Sequence, residues 1–267
     1  MSMNIIEAME SRRSVRTFNG GELSDSLKLS LVRAVEESFS PFGGKVTIRL
    51  KNFALKEGFR PSTYGIIKGA SDFFLIGIGD DDQSALSAGF RFEQVVLKAW
   101  MLGFGTCWIA ATFRGTDFDD GEPWPDGERL KIISPVGISV KPAVAERLVR
   151  MVAGSDKRKP FDKLFFYGDL SHKIPDANRF RQGLEMMRLA PSSTNSQPWK
   201  ALVDNDIVHF YCVPESRWSM LDCGIGLCHF YMAERYYHSD GSFLKVADAP
   251  AAPNKWIYVT SYRLDRT

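Results

Sequence analysis

The chain has 267 residues, 44% hydrophobic and 25% charged, with a formal net charge of +2; this is ordinary globular composition, long enough for one or two domains. So small a net charge argues against a nucleic-acid or membrane surface, and no apolar run reaches the roughly 18 residues that cross a bilayer. The segment after Met1 lacks a signal-peptide core, so the expectation is a soluble cytoplasmic protein.

In chain order, Ser24 to Phe39 reads as an amphipathic helix capped by Ser24 or Asp25, with Leu27, Leu31, Ala34, Val35 and Phe39 at helical spacing. Val46–Leu50 alternates like a strand. Asp72–Gly79 contains the apolar run Phe73–Ile76 and is expected as a buried, central strand. Phe90–Leu102 is apolar on most sides, as in a buried helix, with Gly103 and Gly105 stopping it, and Thr106–Ala110 resumes an extended path. Gly115–Glu128, rich in Asp, Gly and Pro, is expected as an irregular surface excursion placed to act as a lid. A strand over Ile132–Val140, a helix over Ala143–Val152, a basic turn over Asp156–Pro160 and a helix over Asn178–Leu189 complete the pattern.

The two halves look related. The shift that carries Leu31 onto Leu184 superposes, without a gap, Ser38–Gly44 on Pro191–Gln197 and Val46–Leu50 on Trp199–Val203. Gly89-Phe90 and Gly224-Ile225 are each expected to open an apolar helix. An internal duplication accounts for this, and chance helix–turn–strand similarity is its competitor. The four cysteines, Cys107, Cys212, Cys223 and Cys228, read as buried free thiols, since no zinc-knuckle spacing occurs; the alternative is a metal site from Cys223, Cys228 and His229, against which helical spacing puts Cys223 and Cys228 on different faces. The four histidines show no spacing with a nucleophile and read as satisfied or exposed.

Two segments carry chemistry. Arg12-Arg13-Ser14-Val15-Arg16 offers guanidinium forks and a hydroxyl suited to phosphate oxygens, against the plain alternative of a solvated charge run. Pro191-Ser192-Ser193-Thr194-Asn195-Ser196-Gln197-Pro198-Trp199 is a proline-bounded loop that presents several polar groups from a rigid backbone; its alternative is a helix-terminating turn in which Asn195 and Gln197 merely cap backbone groups.

Together these motifs resemble the nitroreductase family of FMN-dependent oxidoreductases, over most of the chain and more weakly in the middle. The resemblance implies an α+β nitroreductase-like fold. Family members are intertwined homodimers in which one chain's arginine motif and the partner's serine-asparagine loop share each FMN; here both motifs lie in one chain. The expectation is therefore two tandem halves, 1–170 and 171–267, forming a pseudo-dimer that suffices as a monomer, with a homodimer as the alternative. In the first half Phe42 and Gly44 replace Asn195 and Gln197, and in the second Ser171-His172-Lys173 stands where a basic motif would be, which leaves one complete site.

The resemblance assigns cofactor contacts to Arg12, Arg13, Ser14 and Arg16, with Arg16 near the flavin N1 and C2=O. Further contacts fall to Trp108, Ile109, Ala110 and Ala111, where an amide at Ala110 or Ala111 faces N5, and to Lys157 and Arg158. Pro191, Ser192, Ser193, Asn195 and Gln197 supply the remainder, and Tyr64–Lys68 is a further rim candidate. Trp108, Phe113 and the Gly115–Glu128 excursion would shape the substrate pocket. The implied reaction passes hydride from NADH or NADPH through flavin N5 to a nitro, quinone or similar acceptor, with no catalytic side chain and no metal. The alternatives are an FMN-binding protein without turnover, serving storage, breakdown or sensing, and a flavin-free scaffold.

Overall fold

The computed structural model describes residues 3–53, 61–140, 157–237, 241–253 and 255–265. Helix α1 (Ile5–Ser11) starts in a capping box: the Asn4 side chain accepts from the Ile6 and Glu7 amides while Glu7 accepts from the Asn4 amide. Helix α2 (Asp25–Glu37) follows, buries Leu31 and Ala34, and leads into β1 (Val46–Asn52). Every residue of β2 (Asp72–Ile78) is buried, as its apolar run requires, and it sits inside the sheet between β1 and β4. Then come α3 (Asp82–Met101), the two-residue strand β3 (Gly105–Thr106) and β4 (Arg129–Gly137), completing an antiparallel sheet of order β1-β2-β4-β3.

The second sheet is built from β5 (Phe165–Tyr167), β6 (Trp199–Asp204), β7 (Ile207–Cys212), β8 (Gly241–Leu244) and β9 (Ile257–Leu264), in the order β5-β6-β7-β9-β8. Helix α4 (Arg181–Leu189) precedes β6 and α5 (Ser219–Tyr237) follows β7. All pairings are antiparallel except β5 with β6. The orders β1-β2-β4-β3 and β6-β7-β9-β8 are the same, and the β2–β4 and β7–β9 pairs each carry a bulge, after Ile76 and after Phe210. The expected shift puts Val46 on Trp199, the first residues of β1 and β6. It fails beyond them because residues 53–71 separate β1 from β2, whereas only Asn205 and Asp206 separate β6 from β7.

Past that point the shift that carries Gly89 onto Gly224 applies, and it marks where α3 and α5 cross. A Cβ on Gly89 would stand 2.1 Å from the Leu221 carbonyl oxygen, and one on Gly224 would stand 2.0 Å from that of Leu86. The contact is reciprocal, as at a two-fold interface. Around it one core cluster runs through both sheets, from Leu31 and Phe74 to Phe210 and Tyr262.

Several elements differ from expectation. Gly89 and Gly224 lie inside their helices instead of opening them; α3 begins two turns earlier, with Asp81 as N-cap accepting from the Ser84 amide at 2.7 Å. Its first turns carry Ser84, Ser87 and Ala88, small residues buried where the helices approach closely, so they show no large apolar stripe. Thr106–Ala110 is extended only at its start, and Ile109 forms an isolated bridge with Ile133. Strand β4 is displaced toward Arg129, and α4 begins at Arg181 after the Asn178 side chain accepts from the Phe180 amide. Strand β5, three residues with a distant parallel partner, has no local signal. The helix expected over Ala143–Val152 lies outside the described residues. Among the described residues no helix is long and apolar enough to cross a membrane.

Candidate functional site

Arg12 leaves α1 with extended dihedrals, and the basic motif runs beside β3. The Val15 amide donates to the Thr106 carbonyl at 2.8 Å, and the Lys68 amide donates to the Arg16 carbonyl at 2.9 Å. Gly105 is required here, since a Cβ on it would meet the Val15 side chain at 2.5 Å. The clamp divides the arginines. Arg13 is exposed, its guanidinium 5.8 Å from the centre of the Trp100 ring. The Arg12 side chain is 5% exposed, with Nε 3.7 Å from Oε1 of Glu93.

Glu93, fully buried on α3, joins several of the expected residues. Its Oε2 accepts from Trp108 Nε1 at 2.8 Å, and its Oε1 lies 2.9 Å from His229 Nε2 on α5. His229 Nδ1 faces the Met186 carbonyl of α4 at 3.2 Å. The chain Arg12–Glu93–His229–Met186 runs from the end of α1 to α4, five residues short of Pro191, so the two motifs occupy one neighbourhood.

The Pro191–Pro198 loop is strained and heavily bonded. Thr194, Asn195 and Gln197 have φ values of 50°, 57° and 46°, a region that costs a side-chain-bearing residue energy. The Gln197 amide donates to Ser192 Oγ at 2.9 Å, and the Ser193 amide donates to both Asp222 carboxylate oxygens at 3.0 and 3.1 Å. Burial pushes the Asp222 carboxyl up to about 7, although the Ser193 amide pulls the other way. Asn195 Nδ2 donates to the Lys157 carbonyl at 2.6 Å, and the Lys159 amide donates to Gln197 Oε1 at 2.8 Å. Arg158 Nη2 donates to the Leu189 carbonyl at 2.9 Å and Nη1 to Asn195 Oδ1 at 3.3 Å.

The loop and the basic segment are thus brought together, with Arg158 seated on the C-terminal end of α4, where a cation also complements the helix dipole. The side chains of Asn195 and Gln197 are engaged with backbone groups, as the capping alternative has it. Pro191 and Ser192 are half-buried beside them.

Elsewhere the expectations are less well gathered. The Ile109 amide donates to Ile133, and Ala110 and Ala111 follow in a bend. The Gly115–Glu128 excursion is pinned to the first sheet instead of standing free as a lid. Asp120 pairs with Arg49 at 3.2 Å, the Arg49 guanidinium lies 4.2 Å from the Trp124 ring centre, and Phe118 is buried against Phe53, Phe73 and Phe113. Tyr64 is exposed. The four cysteines are free and buried. Glu93 and Asp222 escaped the sequence reading; their signal was a carboxylate on the buried side of a largely apolar helix. His229, read as satisfied or exposed, is buried with both ring nitrogens bonded.

Two sheets of repeated order around a crossed helix pair define a nitroreductase-like α+β fold. The family model described as "Putative TM nitroreductase" matches residues 4–234. The chain belongs to that family. A solved structure described as a nitroreductase from Thermotoga maritima is 23% identical, with a TM-score of 0.63 over 99% of this chain and 94% of that one. A nitroreductase family protein from Clostridium difficile 630 is 18% identical, with a TM-score of 0.45 over 60% of this chain and 96% of that one. A nitroreductase with bound FMN from Bacteroides fragilis is 16% identical, with a TM-score of 0.40 over 53% and 91% respectively. No curated protein matches the sequence.

Proposed function

We propose that the chain is an FMN-dependent oxidoreductase, reduced by NADH or NADPH and discharging to a nitro, quinone or similar acceptor. The observation that carries this reading is the convergence of the arginine motif and the Pro191–Gln197 loop through Glu93 and His229. The donor chemistry fits a phosphate-bearing flavin: each motif holds a buried polar atom without a hydrogen-bond partner among the described residues, Arg12 Nε and Ser196 Oγ. Arg12, Arg13 and Ser14 are the proposed phosphate contacts, with Lys157 and Arg158 adding positive charge, and Arg16 the cation at the flavin N1 edge. Trp108, Ile109, Ala110 and Ala111 line one side, and Pro191, Ser192, Ser193, Asn195 and Gln197 the other. Bound flavin would supply hydride acceptance and delivery at N5; the protein's part is to hold, orient and stabilise charge.

The proposal includes the division into halves 1–170 and 171–267, arisen by duplication, with β5 as a strand the first half lends to the second sheet. One site per chain then needs no partner subunit.

Purified protein should show an oxidised-flavin band near 450 nm (roughly, a cofactor property) or acquire one on FMN titration, bleach with NADH or NADPH, and recover with a nitroaromatic. A colourless protein that takes up no FMN ends the reading. A bound flavin that neither nucleotide bleaches makes the protein a flavin carrier.

Arg158→Met should weaken FMN binding about tenfold while lowering stability by only about 1 kcal/mol, because it frees the loop from α4 without opening the core. Fluorescence titration and urea unfolding measure the two. Unchanged FMN affinity would remove Arg158 from the site.

A further inference from the structure

A cavity of about 510 Å³ lies between the halves, lined in part by Phe42, Gln83, Met220, Phe243, Lys245 and Tyr258. The repeat identifies it. The shift that carries Leu31 onto Leu184 carries Phe42 onto Asn195, and the one that carries Gly89 onto Gly224 carries Ala85 onto Met220. Strands β3 and β8 begin at Gly105 and Gly241, paired with Gly137 and Leu264, so Phe243, Leu244 and Lys245 hold the places of Cys107, Trp108 and Ile109. A contact predicted by both shifts checks the correspondence: Ser40 Oγ lies 2.8 Å from Ser87 Oγ where the Ser193 amide meets Asp222. The cavity is therefore the counterpart of the proposed flavin cleft, with the halves exchanging roles.

Its chemistry is different. Cys228 stands where Glu93 anchors Arg12, and among the described residues no arginine lines the cavity. Among the described residues that line the cavity, Lys245 is the one cation and Asp82 the one acid. That balance suits one negative charge and disfavours a phosphate dianion. The Lys245 ammonium donates to the Val259 carbonyl and lies 5.0 Å from the Tyr258 ring centre. Desolvation pushes its pKa down, with no carboxylate acting to restore it. Phe42 and Phe243, their ring centres 5.1 Å apart, supply aromatic wall, and the volume falls within the roughly 300–1,000 Å³ of small-molecule sites.

We propose that this cleft is a second ligand site that takes a planar aromatic monoanion, its ring against Phe42 and Phe243 and its acid group on Lys245. The inference rests on the repeated fold and the cavity, not on occupancy of the first site.

The test is calorimetric titration of the full chain with 1-naphthoate and with its neutral isostere 1-naphthamide, each with and without saturating FMN. Naphthoate should bind at one site per chain, about tenfold tighter than the amide, and FMN should not displace it. Lys245→Met keeps the aliphatic stem and should reduce naphthoate to the affinity of the amide, while Lys245→Arg should restore most of the difference. Absence of saturable binding, or naphthoate binding that Lys245→Met leaves unchanged, overturns the proposal. Displacement by FMN overturns it as well, by placing the probe in the flavin cleft.

Discussion

Glu234→Gln should raise the thermal unfolding midpoint by about 10 °C at pH 9 and change it little at pH 5. Glu234 is buried on α5, and neither carboxylate oxygen has a hydrogen-bond partner among the described residues. Helix α4 presses on it: a Cβ at Gly183 would stand 2.1 Å from Oε1. Burial pushes its carboxyl from 4.5 up to about 8, against the opposing pull of Arg179. Below about pH 4.5 both folded and unfolded states are protonated and the group contributes nothing to the pH dependence. Between there and about pH 8 the unfolded chain gives up its proton while the folded one keeps it, so stability falls as pH rises; above that the penalty is constant. The full penalty is about 5 kcal/mol at about 1.4 kcal/mol per pKa unit. Glutamine escapes it, and its unpartnered amide costs only about 1 kcal/mol more than the unpartnered acid it replaces, so a net gain of about 4 kcal/mol at pH 9 is expected. For a chain of this size that is about 8–16 °C. Melting curves of both proteins from pH 5 to 9 test it: profiles that run parallel across that range would show that the carboxyl is not held protonated. Asp222 acts in the same direction with its carboxyl near 7, so the parent protein should itself lose stability between about pH 4 and 8.

How far the site was legible depends on whether its signal was local. The arginine run and the proline-bounded loop were visible because residue type and spacing alone define them. Side-chain use was not visible: Asn195 and Gln197 have the same sequence signature whether they face a ligand or, as found, bond to Lys157 and Lys159. Glu93 illustrates the same gap. A carboxylate in an apolar helix signals a buried charge, but only the fold brings Arg12, Trp108 and His229 to it across up to 136 positions. The repeat was readable through α2 and β1, where loop lengths match between halves, and became unreadable at residues 53–71, where they do not. Strand β5 pairs with a partner beyond α4, so no hairpin signal could reveal it.

Gly89→Ala should destabilise the protein by about 3 kcal/mol or more, reversing the usual sign of that change. In an exposed helix interior alanine improves on glycine by about 1 kcal/mol. Here the added Cβ would meet the Leu221 carbonyl oxygen at 2.1 Å, the Ile225 amide nitrogen at 2.9 Å and the Gly224 Cα at 3.1 Å. All three are backbone, so no rotamer change relieves the clash, and α3 must move away from α5. Separation forfeits contacts along a fully buried crossing, the overpacking penalty at its upper range. Gly224→Ala should do the same, since its Cβ would stand 2.0 Å from the Leu86 carbonyl. Because both clashes are relieved by one displacement, the double variant should cost clearly less than the sum of the single ones, a coupling readable from urea unfolding of the four proteins. Simple additivity, or single losses below about 1 kcal/mol, would mean the helices do not meet at these glycines. The same displacement moves Glu93, one turn along α3 from Gly89, and with it the carboxylate that holds Arg12 and Trp108. Each single variant that still folds should therefore also bind FMN more weakly, although neither glycine lies in the cleft.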